Sequence, residues 1–97
     1  MRYTKPFTTP QRKTAAATYR SMRATYDNMR FHHRPLNAEQ RRLVNGYRQA
    51  IMDFARVLRG EDATMDVARL NEAEERSVRL AVDYTTLRLD PEGRSNE

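Results

Sequence analysis

Apolar side chains recur along most of this chain at the spacing of an α-helix, and this periodicity limits the folds that the chain can adopt. A stripe at alternating intervals of four and three residues opens the pattern: Ala15, Tyr19, Met22, Tyr26 and Met29. That spacing places the side chains on one helix face, as in the seam of a helical hairpin. Two further stripes follow: Leu43, Tyr47, Ala50, Ile51, Phe54 and Leu58, then Ala73, Leu80, Tyr84 and Leu87. The sequence therefore predicts three helices.

Residues that start and stop helices divide the first two segments. We expect Thr9 to cap the first helix, because the proline that follows it is tolerated in the first turn. Asn37 and Gln40 have the spacing of a capping box at the start of the second helix. Gly60 is typical of the position just beyond a helix C-terminus. These residues separate two helices of more than 20 residues each.

The start of the third helix is predicted from Asn71 as N-cap with Glu74 three residues later, while Asp66 would cap a separate short turn ending near Leu70. The predicted helices cover about residues 10–33, 38–59 and 72–89, with tails at 1–7 and 91–97. With 97 residues, the chain has the size of one domain. We expect a single all-α domain, a three-helix bundle with two long antiparallel helices and a third packed across them.

Charge is unevenly distributed between the two halves of the chain. Residues 1–48 hold eleven Lys or Arg and two acidic residues, a net charge of +9. Residues 49–97 hold seven Arg and eleven acidic residues, a net charge of −4, which leaves +5 for the whole chain. A basic half of this kind predicts contact with an anionic surface.

The first helix carries the densest group of cations. When the apolar stripe is set aside, the following side chains cluster on the remaining face: Arg12, Lys13, Arg20, Arg23, Arg30 and Arg34. Arg41 and Arg48 would extend this surface on the second helix. Three interpretations remain open: a solvated charged face, a site for phosphate or nucleic acid, or a site for an acidic protein surface. Tyr3 and Phe7 would form a small aromatic arm in the N-terminal tail.

The predicted third helix is apolar over about half of its circumference. Val78, Val82 and Leu89 lie away from the stripe that would face the other helices. Either this helix is the central one of the bundle, or these three residues form an apolar docking surface. The second interpretation allows association of two or more copies through the third helix.

Patterns of catalytic and metal-binding residues are scarce in this sequence. The chain has no cysteine, its three glycines stand apart, and no serine lies in a nucleophile elbow. His32 and His33 are adjacent, so on a helix their side chains point about 100° apart and cannot chelate one metal ion. We therefore expect a protein that is not an enzyme and that has no cofactor and no metal site.

The sequence also gives an expectation about the compartment. No run approaches the roughly 20 apolar residues of a membrane-spanning helix, and residues 1–6 lack the apolar core of a secretory signal. We expect a cytoplasmic protein without a membrane partner.

These features predict a small binding protein. The favoured hypothesis is an inhibitor or adaptor, of the kind that mobile elements encode, whose basic helical face binds a host protein or nucleoprotein. The second hypothesis is a regulatory nucleic-acid-binding protein that contacts phosphates through the first helix. The third is a structural subunit that assembles with copies of itself.

Overall fold

The computed structural model describes residues 2–31 and 36–89. Its secondary-structure elements in chain order are α1 (Thr9–Phe31), α2 (Ala38–Leu58), one turn of 3₁₀-helix (Asp62–Thr64) and α3 (Val67–Leu89). The described part of the chain contains no strand. The predicted all-α three-helix bundle is thus confirmed.

The helix α2 lies at the centre of the bundle, because α1 and α3 both pack against it, and α3 does so more extensively. Arg12 near the start of α1 contacts the carbonyl of Leu58 at the end of α2, so these two helices are antiparallel. Asp53 in α2 forms an ion pair with Arg76 in the first half of α3, at 2.5 Å, so α2 and α3 are antiparallel as well. As a result, α1 and α3 run parallel on the two sides of α2.

The apolar stripes predicted from the sequence form the core of the bundle. On α2, all members except the half-buried Leu58 are buried. On α1, three members are buried while Tyr19 and Tyr26 are half-buried at the edge of the core. On α3, Ala73 and Tyr84 are buried and the other two pack against the core.

Residues 2–7 are not the tail that we predicted, but a segment packed on the bundle, which we call the N-terminal strap. The side chains of Tyr3 and Phe7 are only 1% and 4% exposed. The backbone N–H of Tyr3 donates to Asn71 Oδ1 at 3.0 Å, and Asn71 Nδ2 donates to the carbonyl of Tyr3 at 2.9 Å. The prediction was wrong because a chain with few apolar residues uses these two aromatic rings to complete its core.

The start of α3 also differs from the prediction. The helix begins at Val67, and Asp66 caps it, since Asp66 Oδ1 accepts from the N–H of Arg69 at 3.1 Å. Asn71 therefore lies inside the helix, where its side chain is buried against the strap rather than capping the helix. The predicted short turn from Asp66 is in fact the first turn of α3.

The other helix boundaries agree with the sequence within two residues where the structure describes them. The N–H of Arg12 donates to the carbonyl of Thr8 at 2.9 Å, so α1 begins one residue earlier than predicted. The capping box of α2 is confirmed. The N–H of Gln40 donates to Asn37 Oδ1 at 2.8 Å, and the N–H of Asn37 donates to Gln40 Oε1 at 2.9 Å. The predictions for His32, His33, Arg34 and the tail at 91–97 fall outside the described residues.

Candidate partner-binding site

A groove lined by arginines runs between α1 and α2, and we call it the arginine groove. It encloses about 390 Å³. The described residues that line it are Tyr19, Arg23, Tyr26, Asp27 and Arg30 from α1, Arg48, Ile51, Met52, Ala55 and Arg56 from α2, and Arg59 at the C-cap of α2. None of these lining residues comes from α3. Five guanidinium groups thus meet one carboxylate, which makes the groove strongly cationic.

Helical spacing explains why these side chains converge. On α1, alternate intervals of four and three residues connect Tyr19, Arg23, Tyr26 and Arg30, and the same intervals connect Arg48, Met52, Ala55 and Arg59 on α2. On α1, the two tyrosines belong to the edge of the core stripe and the two arginines lie beside it. On α2, the whole set lies beside the core stripe. Because α1 and α2 are antiparallel neighbours, the two stripes face each other over eleven residues, or about 16 Å.

Two of the arginines on α1 stack on tyrosine rings of the same helix. The guanidinium carbon of Arg23 lies 6.0 Å from the ring centre of Tyr19, and Arg23 Nη1 donates to the Tyr19 hydroxyl at 3.1 Å. That hydrogen bond raises the pKa of Arg23. The guanidinium carbon of Arg30 lies 5.4 Å from the ring centre of Tyr26 and 5.2 Å from that of Phe31. Stacking orients the guanidinium planes, whose N–H edges suit carboxylate or phosphate oxygens.

The floor of the groove is apolar. Ile51 is buried, Ala55 is half-buried, and Met52 is 39% exposed. The groove continues through Ala55 and Arg59 into a neighbouring depression of about 310 Å³ at the start of α1. A cationic rim around an apolar floor can bind a ligand that has both anionic and apolar groups.

The structure brings three of the predicted binding residues into the arginine groove: Arg23, Arg30 and Arg48. Lys13 and Arg20 are exposed on α1 but do not line the groove. Arg34 falls outside the described residues. Arg41 Nη1 donates to the carbonyl of Leu36 at 2.7 Å, next to the start of α2 and away from the groove.

Arg12, which we predicted as a binding residue, contacts the fold itself. Its guanidinium donates to the carbonyls of Leu58 at 2.5 Å and of Gly60 at 2.7 Å, and its Nε donates to Asp62 Oδ1 at 2.7 Å. These carbonyls lie at the C-terminus of α2, where a cation is favourable. Arg12 therefore fastens the start of α1 to the end of α2.

Sequence reasoning did not assign Arg56 and Arg59 to the site. Arg59 is eleven residues beyond Arg48, a separation that returns to the same helix face after three turns. That spacing was the available signal for Arg59. Arg56 lies near the edge of the same face and forms a weak ion pair with Asp53 at 3.8 Å.

The predicted apolar surface on α3 lies in a second groove, between α1 and α3. Val78 and Val82 are 56% and 57% exposed, and both line this groove of about 800 Å³. Leu89 ends α3, and its side chain is outside the described part of the structure.

Neither a metal site nor a membrane span is found in the described part of the chain. Across residues 2–31 and 36–89, no three His, Asp or Glu side chains come together in a group that could hold a metal ion. None of the described helices combines the length and the apolarity needed to cross a membrane. Comparison with protein-family models, with curated proteins and with solved structures gives no match to this chain.

Proposed function

We propose that this protein is a binding protein, and not an enzyme, that acts as an inhibitor or adaptor by attaching to an acidic segment of a partner protein through the arginine groove. One observation carries the proposal: five arginines from α1, α2 and the C-cap of α2 line a single groove in which Asp27 is the one carboxylate among the described lining residues. Like charges held this close repel one another, and an anionic partner would remove that repulsion.

The floor of the groove favours a protein segment as the ligand. Ile51, Met52 and Ala55 offer an apolar strip between two cationic edges. An amphipathic helix with an apolar stripe and acidic flanks has the complementary pattern, and it would lie lengthwise in the groove. The length of about 16 Å corresponds to three turns of such a helix.

Nucleic-acid binding is the second candidate, and the abundance of guanidinium groups favours it. Arginine binds phosphate oxygens in a bidentate manner and would align with a phosphate backbone. However, Arg23 and Arg30 stack against Tyr19 and Tyr26, so these arginines compete with bases for the ring faces. Binding to nucleic acid would therefore depend mainly on phosphate contacts and would weaken steeply as salt is raised.

Fluorescence anisotropy with two labelled ligands separates the candidates. One ligand is an acidic amphipathic peptide helix, the other a single-stranded oligonucleotide of equal charge, and both are titrated over a range of salt concentrations. We expect the peptide to bind and to remain bound at moderate salt, because the apolar floor contributes to its affinity. If the oligonucleotide binds with a steep salt dependence and the peptide does not bind, the result would favour nucleic-acid binding.

Variants of the protein link the binding to the groove. We expect the Arg23→Gln/Arg48→Gln double substitution to weaken peptide binding about tenfold or more, since a loss of about 1.4 kcal/mol corresponds to a factor of ten. The matched control removes two exposed arginines from α3, Arg69→Gln/Arg79→Gln, and should change the affinity less than about twofold. Equal losses in the two double variants would mean that net charge, and not the groove, determines binding.

A further inference from the structure

The depression at the end of the arginine groove differs in chemistry from the groove itself, and we call it the terminal depression. It encloses about 310 Å³ and is lined by Arg12, Tyr19, Ala55, Leu58 and Arg59. Because Tyr19, Ala55 and Arg59 also line the arginine groove, the two hollows are continuous. None of the described residues that line the terminal depression is acidic. A ligand there meets apolar side chains between two arginines.

Arg12 forms a fixed wall of the terminal depression. Its three guanidinium nitrogens donate to the carbonyls of Leu58 and Gly60 and to the carboxylate of Asp62. Its guanidinium carbon also lies 5.4 Å from the ring centre of Phe7 in the strap. Because each nitrogen already has an acceptor within the fold, Arg12 has little capacity left to bind a carboxylate. It can offer a ligand its aliphatic stem and the guanidinium face turned away from Phe7, and such a face binds an aromatic ring.

The other residues of the terminal depression complete a site for a flat apolar group. Tyr19, Ala55 and Leu58 are half-buried, so each exposes part of an apolar side chain. Arg59 is exposed at the C-cap of α2. Because Arg59 lines both hollows, its guanidinium can turn toward a carboxylate in the groove or toward a ring in the depression.

We propose that the terminal depression receives one aromatic side chain of the acidic segment that the arginine groove binds, so that the partner is an acidic helix anchored by a tryptophan or phenylalanine. This inference rests on the proposed function. The charges of the depression select the ring: an aliphatic side chain would gain the apolar contacts but not the attraction between guanidinium groups and a ring face. Arginines of this surface already stack on rings within the chain: Arg12 on Phe7, Arg23 on Tyr19 and Arg30 on Tyr26.

The geometry of α2 predicts where the aromatic residue stands in the partner. Arg59 lies beside the terminal depression, and Arg48 is eleven residues away along α2, a distance of about 16 Å. In a partner helix lying along α2, eleven residues cover the same distance and return to the same face after three turns. The aromatic residue should therefore stand about eleven residues from the acidic residue that meets Arg48.

Fluorescence anisotropy with labelled peptides tests the proposal. The probe is an acidic amphipathic helix with tryptophan, leucine or alanine at one variable position, eleven residues from a glutamate at the other end of its apolar stripe. Two series place the variable position at the N-terminal or the C-terminal end, which covers both directions of the peptide. In one series we expect tryptophan to bind about tenfold more tightly than alanine and about threefold more tightly than leucine.

A variant with a filled depression links this preference to its site. Ala55→Leu adds a larger side chain to the floor, and the preference for tryptophan over alanine should fall below about twofold. The control Ala68→Leu makes the same change at an exposed position of α3 and should keep the full preference. Both peptides are compared on the same protein, so any change in the arginine contacts cancels. Circular dichroism melts of the two variants confirm that both are folded at the temperature of the titration.

A second readout uses the absence of tryptophan from this chain. The peptide then carries the one tryptophan of the complex, and its emission should move to shorter wavelength on binding to the unsubstituted protein but not to Ala55→Leu. If all three peptides bind equally, the aromatic anchor is wrong while the proposed function stands. Equal affinity of the tryptophan and leucine peptides would overturn the choice of an aromatic ring. If no peptide binds at low salt, both proposals fail.

Discussion

The contact between Asn71 and the N-terminal strap gives a prediction that can be worked out in some detail. Asn71 is 3% exposed, and its amide satisfies both backbone hydrogen-bonding groups of Tyr3, at 3.0 and 2.9 Å. The substitution Asn71→Ala removes both partners at once. The N–H and the carbonyl of Tyr3 would then be buried without hydrogen bonds.

The expected loss of stability follows from these two groups. A buried polar group without a partner costs about 1–3 kcal/mol, so the pair costs about 2–6 kcal/mol. The strap can instead detach and return the two polar groups to water, so the cost of detachment is an upper limit on the loss of stability. Detachment exposes Tyr3 and Phe7, at about 1.5–3 kcal/mol for each side chain. We therefore expect the free energy of unfolding to fall by about 2–6 kcal/mol, a large part of the roughly 5–15 kcal/mol typical of a domain.

Urea titration followed by circular dichroism measures this loss, and hydrogen exchange of the Tyr3 amide reports whether the strap has detached. In the unsubstituted protein we expect this amide to exchange slowly, and in Asn71→Ala to exchange at the rate of an exposed amide. The control is Asn45→Ala, at an exposed position of α2, which should change stability by less than about 0.5 kcal/mol. A loss below about 0.5 kcal/mol for Asn71→Ala, with slow exchange retained, would refute the role of the strap.

Two further predictions concern Arg12 and Tyr3. Arg12→Gln should lower the free energy of unfolding by about 1–2 kcal/mol, because it removes the ion pair with Asp62 and contacts to the end of α2. The neighbouring Lys13→Gln should have almost no effect in the same urea titration. Burial raises the pKa of Tyr3 to about 12, so the folded state holds the phenol proton more tightly than the unfolded state does. Stability should therefore fall as the pH rises from about 10 toward 12, and the fall should be smaller in Tyr3→Phe; equal slopes would contradict the assignment.

The helices of this protein could be predicted from the sequence because their determinants are local. The apolar stripes repeat within each helix, and Asn37 and Gln40 are only three residues apart. The start of α3 was placed incorrectly because Asp66 and Asn71 both resemble N-caps. Local preferences do not rank one above the other, and the choice depends on a contact between Asn71 and Tyr3, which is 68 residues away in the chain.

The N-terminal strap could not be predicted for a similar reason. Tyr3 and Phe7 stand in a short polar segment without helical or strand periodicity, so nothing local shows that they are buried. Their environment is made by residues from distant parts of the chain. The ring centre of Phe54 in α2 lies 6.2 Å from that of Tyr3, and the Tyr3 hydroxyl donates a hydrogen bond to Glu74 Oε1 in α3 at 2.7 Å.

The basic surface was predicted only in part. The stripe that holds Arg23 and Arg30 follows from helical spacing on α1, and Arg48 follows from the spacing on α2. The role of Arg12 does not follow from spacing, because its partners Leu58, at the end of α2, and Asp62, in the turn that follows, are 46 and 50 residues away in the chain. Sequence pattern assigns a side chain to a helix face, but the packing of the next helix determines whether that side chain is buried, bound or available.

The central claim is that arginines of the α1–α2 groove bind carboxylates of a partner, and a charge-swap experiment tests it most directly. Two proteins would be compared, the unsubstituted protein and Arg48→Glu. For each, the affinity would be measured for the original acidic amphipathic peptide and for a set of peptides in which one Glu at a time is replaced by Lys. We predict that Arg48→Glu weakens binding of the original peptide and that one Lys peptide recovers most of the loss. Equal affinity of Arg48→Glu and the unsubstituted protein for the original peptide would contradict the claim.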